Sequence, residues 1–232
     1  MFGGEMSAKE TSFKQLVGVP VHYDRLNQPN QYGSKGQART FQCRNQLRST
    51  LEQCFSELFN IWGRGVPSII LTAGTIGDGG GDHGRGYAFD LDGFYWGEKK
   101  FMMLEYPKDR PFYLGINAHL FLYFSQVLSY HYPSHADHFH VDFNFTSSFR
   151  PQSNAQTFFL QACLRYILNT DLGKTGQEKD GVDGIFGSDT EQALRTALKK
   201  IGVADKLTTA PGWKKFLKIC REEAFAAGMA VS

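Results

Sequence analysis

Residues 138–143 read His138-Phe139-His140-Val141-Asp142-Phe143, polar and apolar side chains in strict alternation. Successive side chains of a strand point to opposite faces, so this is a strand that buries Phe139 and Val141 and turns His138 and His140 together to a polar face. A second segment, Tyr87-Ala88-Phe89-Asp90-Leu91-Asp92, alternates in the same way and carries Asp90 on its polar face. If the two strands pair antiparallel, the histidines and the carboxylate come together. Four of the seven histidines, His131, His135, His138 and His140, fall within ten residues around this strand.

His83 lies seven positions before Asp90 in a glycine-rich stretch, so His83, Asp90 and His140 are the candidate ligands of one metal ion. Two imidazoles and one carboxylate leave a fourth position open, which suits catalytic zinc better than structural zinc, normally closed by four protein ligands. Asp137, three residues before His140, is the candidate general base, with His138 and His135 placed to orient it or to stabilise an oxyanion. Taken singly, each residue has a plainer reading: a strand histidine is usually a surface or satisfied core residue, and an aspartate in a glycine loop usually forms a turn. The combination carries the expectation.

Working outward, apolar residues at helical spacing predict a helix over residues 41–62, and Gly63, Gly65 and Pro67 end it before a short buried strand at residues 68–72. A glycine-rich loop is expected over residues 74–86, and a further helix over residues 116–130. Polar, turn-forming residues at 147–154 mark a domain boundary. Beyond it, helices are expected at residues 157–168, at 189–201 behind a capping box formed by Ser188 and Glu191, and at 213–227. The fold class is therefore α+β: a small antiparallel sheet with flanking helices and a zinc site over residues 1–150, then an all-α domain over 151–232.

The chain has 232 residues, 41% hydrophobic, including 20 Phe, enough for one full core and a second small one. A net charge of +2 without basic clusters interleaved with aromatics argues against a nucleic-acid partner. No apolar run approaches the roughly 20 residues of a membrane span. The first ten residues lack the basic start and apolar stretch of a secretory signal, so delivery by another route is the expectation. Cys43 and Cys54, about 16 Å apart on one helix, are beyond disulfide reach. Cys163 and Cys220 fall on two different helices that allow a bridge, with buried thiols the plainer reading.

Two motifs carry a resemblance. His83-Gly84-Arg85-Gly86-Tyr87-Ala88-Phe89-Asp90 resembles the H-x-x-G-x-A-x-D motif of the zinc D-Ala-D-Ala carboxypeptidase and endopeptidase superfamily, and Asp137-His138-Phe139-His140 resembles its D-H-x-H. Phe94 after the first motif, and a helix with His119, Leu120 and Phe124 before the second, are similar to the extensin-like branch. The resemblance implies zinc on His83, Asp90 and His140, Asp137 as base, and His135 and His138 assisting. Gly81 stands where members often carry Ser. A carboxypeptidase of this kind needs a cation for the terminal carboxylate; Arg39, Arg44, Arg64 and Arg85 are all candidates.

Residues 180–194, Asp180-Gly181-Val182-Asp183-Gly184-Ile185-Phe186-Gly187-Ser188-Asp189-Thr190-Glu191-Gln192-Ala193-Leu194, resemble the D-G-x-F-G-x-x-T-x-x-A-V signature of helical peptidoglycan-binding modules. The plainer reading is a glycine turn before a capped helix. A calcium loop is rejected, because Val182 and Gly184 offer no side-chain oxygen where one is needed. The expected protein is a peptidoglycan metallopeptidase acting on the cell wall, tethered there by its C-terminal domain and brought by a delivery or secretion partner. The rival is a non-catalytic peptidoglycan-binding protein with a structural or vestigial metal site.

Overall fold

The computed structural model describes residues 10–26, 31–75, 81–144 and 147–229. The N-terminal segment 1–9 and residues 76–80 of the expected glycine-rich loop lie outside them. The chain runs β1 (Thr11–Phe13), β2 (Gln15–Leu16), β3 (Val19–Tyr23), β4 (Gln37–Ala38), β5 (Phe41–Cys43), α1 (Asn45–Ile61), β6 (Ile69–Gly74) and α2 (Gly81–Gly84). It continues through β7 (Phe89–Trp96), β8 (Lys99–Met102), α3 (Arg110–Tyr123), β9 (Gln126–Leu128), β10 (Phe139–Asp142), α4 (Asn154–Tyr166), α5 (Ser188–Lys200) and α6 (Ala210–Met229).

The fold is α+β, but the sheet is neither small nor purely antiparallel. Eight strands join in one mixed sheet whose main path is β2-β3-β6-β7-β10-β9, and β1 pairs with β5 in a separate ribbon. β3 and β6 are parallel; parallel neighbours need a long crossover, and α1 supplies it. The expected helix at 41–62 starts later, because Phe41–Cys43 pairs with β1 instead. The second helix begins earlier and ends sooner than residues 116–130. Asp109 caps it by accepting the Phe112 N–H at 3.1 Å, Pro111 occupies its first turn, and residues 126–128 leave it to pair with β10. Short apolar runs of this kind satisfy either period.

An irregularity in β7 sets the site apart from the core. Leu71 pairs with Gly93 and Thr72 with Leu91, so Asp92 is an extra residue, a β-bulge. Phe89 and Phe94 consequently both reach Phe55 of α1, at ring distances of 6.2 and 6.1 Å, although five positions separate them. Asp90 and Asp92 are left on the opposite face. Phe94 itself is buried edge-on against Trp62 at 5.0 Å.

One hydrophobic cluster runs from the sheet through α3 into the C-terminal helices. Trp213 of α6 packs on Phe149 at 5.4 Å and on Phe159 at 5.9 Å, and Phe121 of α3 lies 5.1 Å from Phe159. α6 crosses α3 closely because Gly115 lacks a side chain: a Cβ there would stand 2.4 Å from the Phe225 ring. His119 of α3 is buried at this crossing, donating through Nε2 to the Cys54 carbonyl at 2.9 Å and accepting from Arg221 at Nδ1, 3.1 Å away. The four cysteines are buried free thiols. The expected capping box does not form; Gly187 is the N-cap of α5 and Ser188 its first residue.

Candidate metal centre

The two strands of alternating sequence are neighbours, antiparallel, with His140 directly opposite Asp90. His83 arrives from the short helix α2, which follows the end of β6. His83 Nε2 is 3.1 Å from Asp90 Oδ1 and 3.1 Å from His140 Nδ1, and His140 Nδ1 is 2.9 Å from Asp90 Oδ1. Zinc bonds of about 2.05 Å at tetrahedral angles place neighbouring ligand atoms roughly 3.3 Å apart, so the three atoms stand nearly at the spacing such an ion demands. Among the described residues this is the group that can hold a metal ion.

The outward nitrogens explain why the inward ones are free to ligate. His83 Nδ1 is 3.2 Å from the Thr75 carbonyl, and His140 Nε2 is 3.0 Å from Asp142 Oδ2. Each outward nitrogen donates to its acceptor, which leaves a lone pair directed at the centre. Asp142 is fully buried and receives further bonds from Gln126 Nε2 at 2.7 Å and the Asn144 N–H at 2.8 Å. Burial would raise the Asp90 carboxyl, yet the bonds from His140 and His83 hold it well below the usual carboxylate range. Burial would lower His140, but Asp142 and Asp90 raise it, so without a metal ion the inward nitrogen also holds a proton, which it would release on binding one.

Asp137 sits in the turn before β10. His138 Nδ1 is 2.7 Å from its Oδ1, and Arg25 Nη1 donates to Oδ2 at 2.8 Å. The His138 bond, against the effect of burial and aided by Arg25, lowers Asp137 to about 2. Arg25 also grips the fully buried Asp92 with two bonds, one of them Nε to Oδ2 at 2.9 Å. Tyr32 lies under the Arg25 guanidinium at 4.7 Å and donates its hydroxyl to the Asp137 carbonyl. His138 turns Nε2 to within 3.9 Å of Asp90 Oδ1, and the His135 ring lies 4.8 Å from His138. His135 is lowered by burial.

The site therefore brings together His83, Asp90, His135, Asp137, His138 and His140. His131, from the same cluster, packs instead between Tyr106 and Phe158. Arg44, Arg64 and Arg85 are engaged by Glu10, Asp109 and Asp82. Sequence reasoning missed Arg25, Tyr32, Asp92 and Asp142. Asp142 follows His140 by two on the same polar face, a signal already present in the alternation. Gly81 has φ +77°, a left-handed conformation that a serine adopts only with strain. Asp180 and Asp183 accept the Val182 and Ile185 N–H groups at 3.0 and 2.9 Å, as turn-forming aspartates do.

Comparison of the chain with known protein families, with curated proteins and with solved structures finds no match to any of them. No helix among the described residues is long and apolar enough to cross a membrane.

Proposed function

We propose that this protein is a zinc metallopeptidase that hydrolyses an amide in the stem peptide or cross-link of peptidoglycan. The observation that carries the reading is the link from Asp137 through His138 to the ligand set: His138 turns Nδ1 to Asp137 Oδ1 at 2.7 Å and Nε2 towards Asp90 Oδ1 at 3.9 Å, an anchored acid–base pair that an amide hydrolase needs and a purely structural site does not.

His83, Asp90 and His140 would hold the zinc, which would supply Lewis acidity towards the scissile carbonyl. Asp137, ionised at neutral pH, accepts the proton of the attacking water and returns it to the departing amine. Arg25 and His138 fix the carboxylate's orientation, so little rearrangement is required when the substrate arrives. His135, within ring contact of His138, completes the polar wall on that side.

The wall as substrate rests on the two sequence motifs. Support from residues 180–187 is their order: Gln161 accepts the Asp183 and Gly184 N–H groups at 3.0 and 2.8 Å and donates to the Ile185 carbonyl at 3.1 Å, presenting exposed Ile185 on a braced loop. In this reading the protein reaches the wall with a delivery or secretion partner. The test is mass spectrometry of fragments released from purified peptidoglycan by zinc-loaded protein, with Asp137→Ala alongside. Stem-peptide fragments from the parent alone support the peptidase. Retention on the wall by both proteins, without release by either, replaces it with the non-catalytic binding protein.

A further inference from the structure

Asp90 and His140 are set against each other by strand register, whereas His83 arrives on α2, outside the sheet. α2 has four residues, about one turn, and a single turn gains too little from its own hydrogen bonds to hold a position without outside contacts. The Thr75 carbonyl, just past β6, meets His83 Nδ1 at 3.2 Å. Arg44, just before α1, donates its N–H to the Gly86 carbonyl at 3.0 Å and its Nε to the Arg85 carbonyl at 3.2 Å. From the third side Asn144 Nδ2 donates to Asp82 Oδ2, on the residue next to His83. Of these anchors, Asn144 is the one that follows β10, the strand of His140.

Asn144 serves both histidines with different groups. Its side chain closes a ring of bonds with α2: besides the bond to Asp82, Oδ1 accepts from Arg85 Nη2 at 3.3 Å, and Arg85 Nη2 donates to Asp82 Oδ1 at 2.5 Å. Its backbone N–H donates to Asp142 Oδ1 at 2.8 Å, and Asp142 Oδ2 stands 3.0 Å from His140 Nε2. A chain of contacts thus runs from His83 through Asp82, Asn144 and Asp142 to His140. The Asp82 side chain is only 11% exposed, so the Asn144 bond is charge-assisted and ends on a carboxylate largely withdrawn from water.

We propose that Asn144 is a positioning residue that registers the two histidine ligands on each other, tying α2 to the end of β10 so that His83 Nε2 stands at ligand spacing from Asp90 and His140 before an ion arrives. Without the Asn144 side chain, α2 keeps its anchors on Thr75 and Arg44 but loses its reference to β10, and His83 shifts against a pair that the sheet holds fixed. The inference needs His83, Asp90 and His140 to bind the metal; it does not need the peptidase reading, and it holds equally for a structural ion.

Zinc affinity, measured by competition against a chromophoric chelator, tests it, together with the absorption spectrum of the cobalt-loaded protein, which reports ligand geometry. Asn144→Ala should weaken zinc binding by about 10–100-fold and shift the cobalt spectrum. The metal-free melting temperature should stay close to the parent's, since the backbone N–H that serves Asp142 survives the substitution. Asp82→Ala should lose as much, and the double variant no more than either alone. Asn144→Asp sets two carboxylates against each other and should lose at least as much, whereas Asp82→Asn/Asn144→Asp, which exchanges donor and acceptor, should restore most of the affinity. An affinity untouched by Asn144→Ala, additive losses in the double alanine variant, or an exchange that restores nothing overturns the positioning role and leaves the ligand set standing. A parent that binds no zinc removes the ligand set and this role together. Zinc binding that depends on Asn144, in a protein that releases no peptidoglycan fragments, keeps the role and removes only the peptidase.

Discussion

His140 Nε2 lies 3.0 Å from Asp142 Oδ2, and this bond decides which nitrogen of the ring the metal centre receives. Asp142 is held in turn by Gln126 and by the Asn144 N–H, so the acceptor that orients the ring is itself fixed in place. Asp142→Ala should weaken zinc binding by about 10–100-fold while the protein stays folded. Competition against a chromophoric chelator measures this; an unchanged affinity would refute the role given to Asp142.

Ligand and base should separate cleanly. His83→Ala, Asp90→Ala and His140→Ala should each lose bound zinc, as metal analysis after dialysis reads. Asp137→Asn should keep its zinc and lose roughly 10²–10⁴-fold in turnover. If Asp137→Asn loses metal and activity together, Asp137 belongs to the ligand set instead.

Arg25 is 12% exposed and its partner Asp92 is fully buried. Removing one member of a buried pair leaves the other charge uncompensated, so Arg25→Ala should destabilise the fold by about 3–5 kcal/mol. The double variant Arg25→Met/Asp92→Leu should recover much of that stability, but not the orientation of Asp137. Urea unfolding of the three proteins provides the check, and a wild-type midpoint for Arg25→Ala contradicts it.

His119 links stability to pH. Burial, with Arg221 adding to it against the Cys54 bond, lowers it to about 4 from an ordinary value near 6.5. Above pH 6.5 neither the folded nor the unfolded chain holds the extra proton, and the contribution is complete. As pH falls from 6.5 towards 4 the unfolded chain takes up the proton and the folded one does not, so stability declines by up to about 3 kcal/mol. Denaturation midpoints of the parent and His119→Gln across this window should diverge near neutrality and converge towards pH 4; parallel curves count against the assignment.

Gly115→Ala places a methyl where the Phe225 ring now lies, 2.4 Å from the built Cβ. Overpacking of this kind costs roughly 1–3 kcal/mol. The partner change Phe225→Leu should recover part of that loss, and thermal melts of the single and double variants report it. An additive loss in the double variant argues against contact between the two residues.

The site was legible where its chemistry is local. Period-two alternation put His140 and Asp90 on polar faces, and short spacing attached Asp137 and His83 to them. Arg25 and Tyr32 had no such signal: they stand more than a hundred residues from Asp137, and only the folded sheet brings the segment after β3 to the turn before β10. The bulge at Asp92 and the parallel pairing of β3 with β6 are likewise products of packing. Proximity in sequence also misled, since His131 shares the cluster of His135 but faces the aromatic core beside Tyr106.

The close crossing of α6 over α3 fixes how far the C-terminal helices stand from the group formed by His83, Asp90 and His140. With Phe225 seated on Gly115 and Trp213 locked among Phe149 and Phe159, that separation is a constant of the folded chain, not the sampled reach of a leash. Under the proposed reading, a wall polymer that touched both regions would meet them at that one separation.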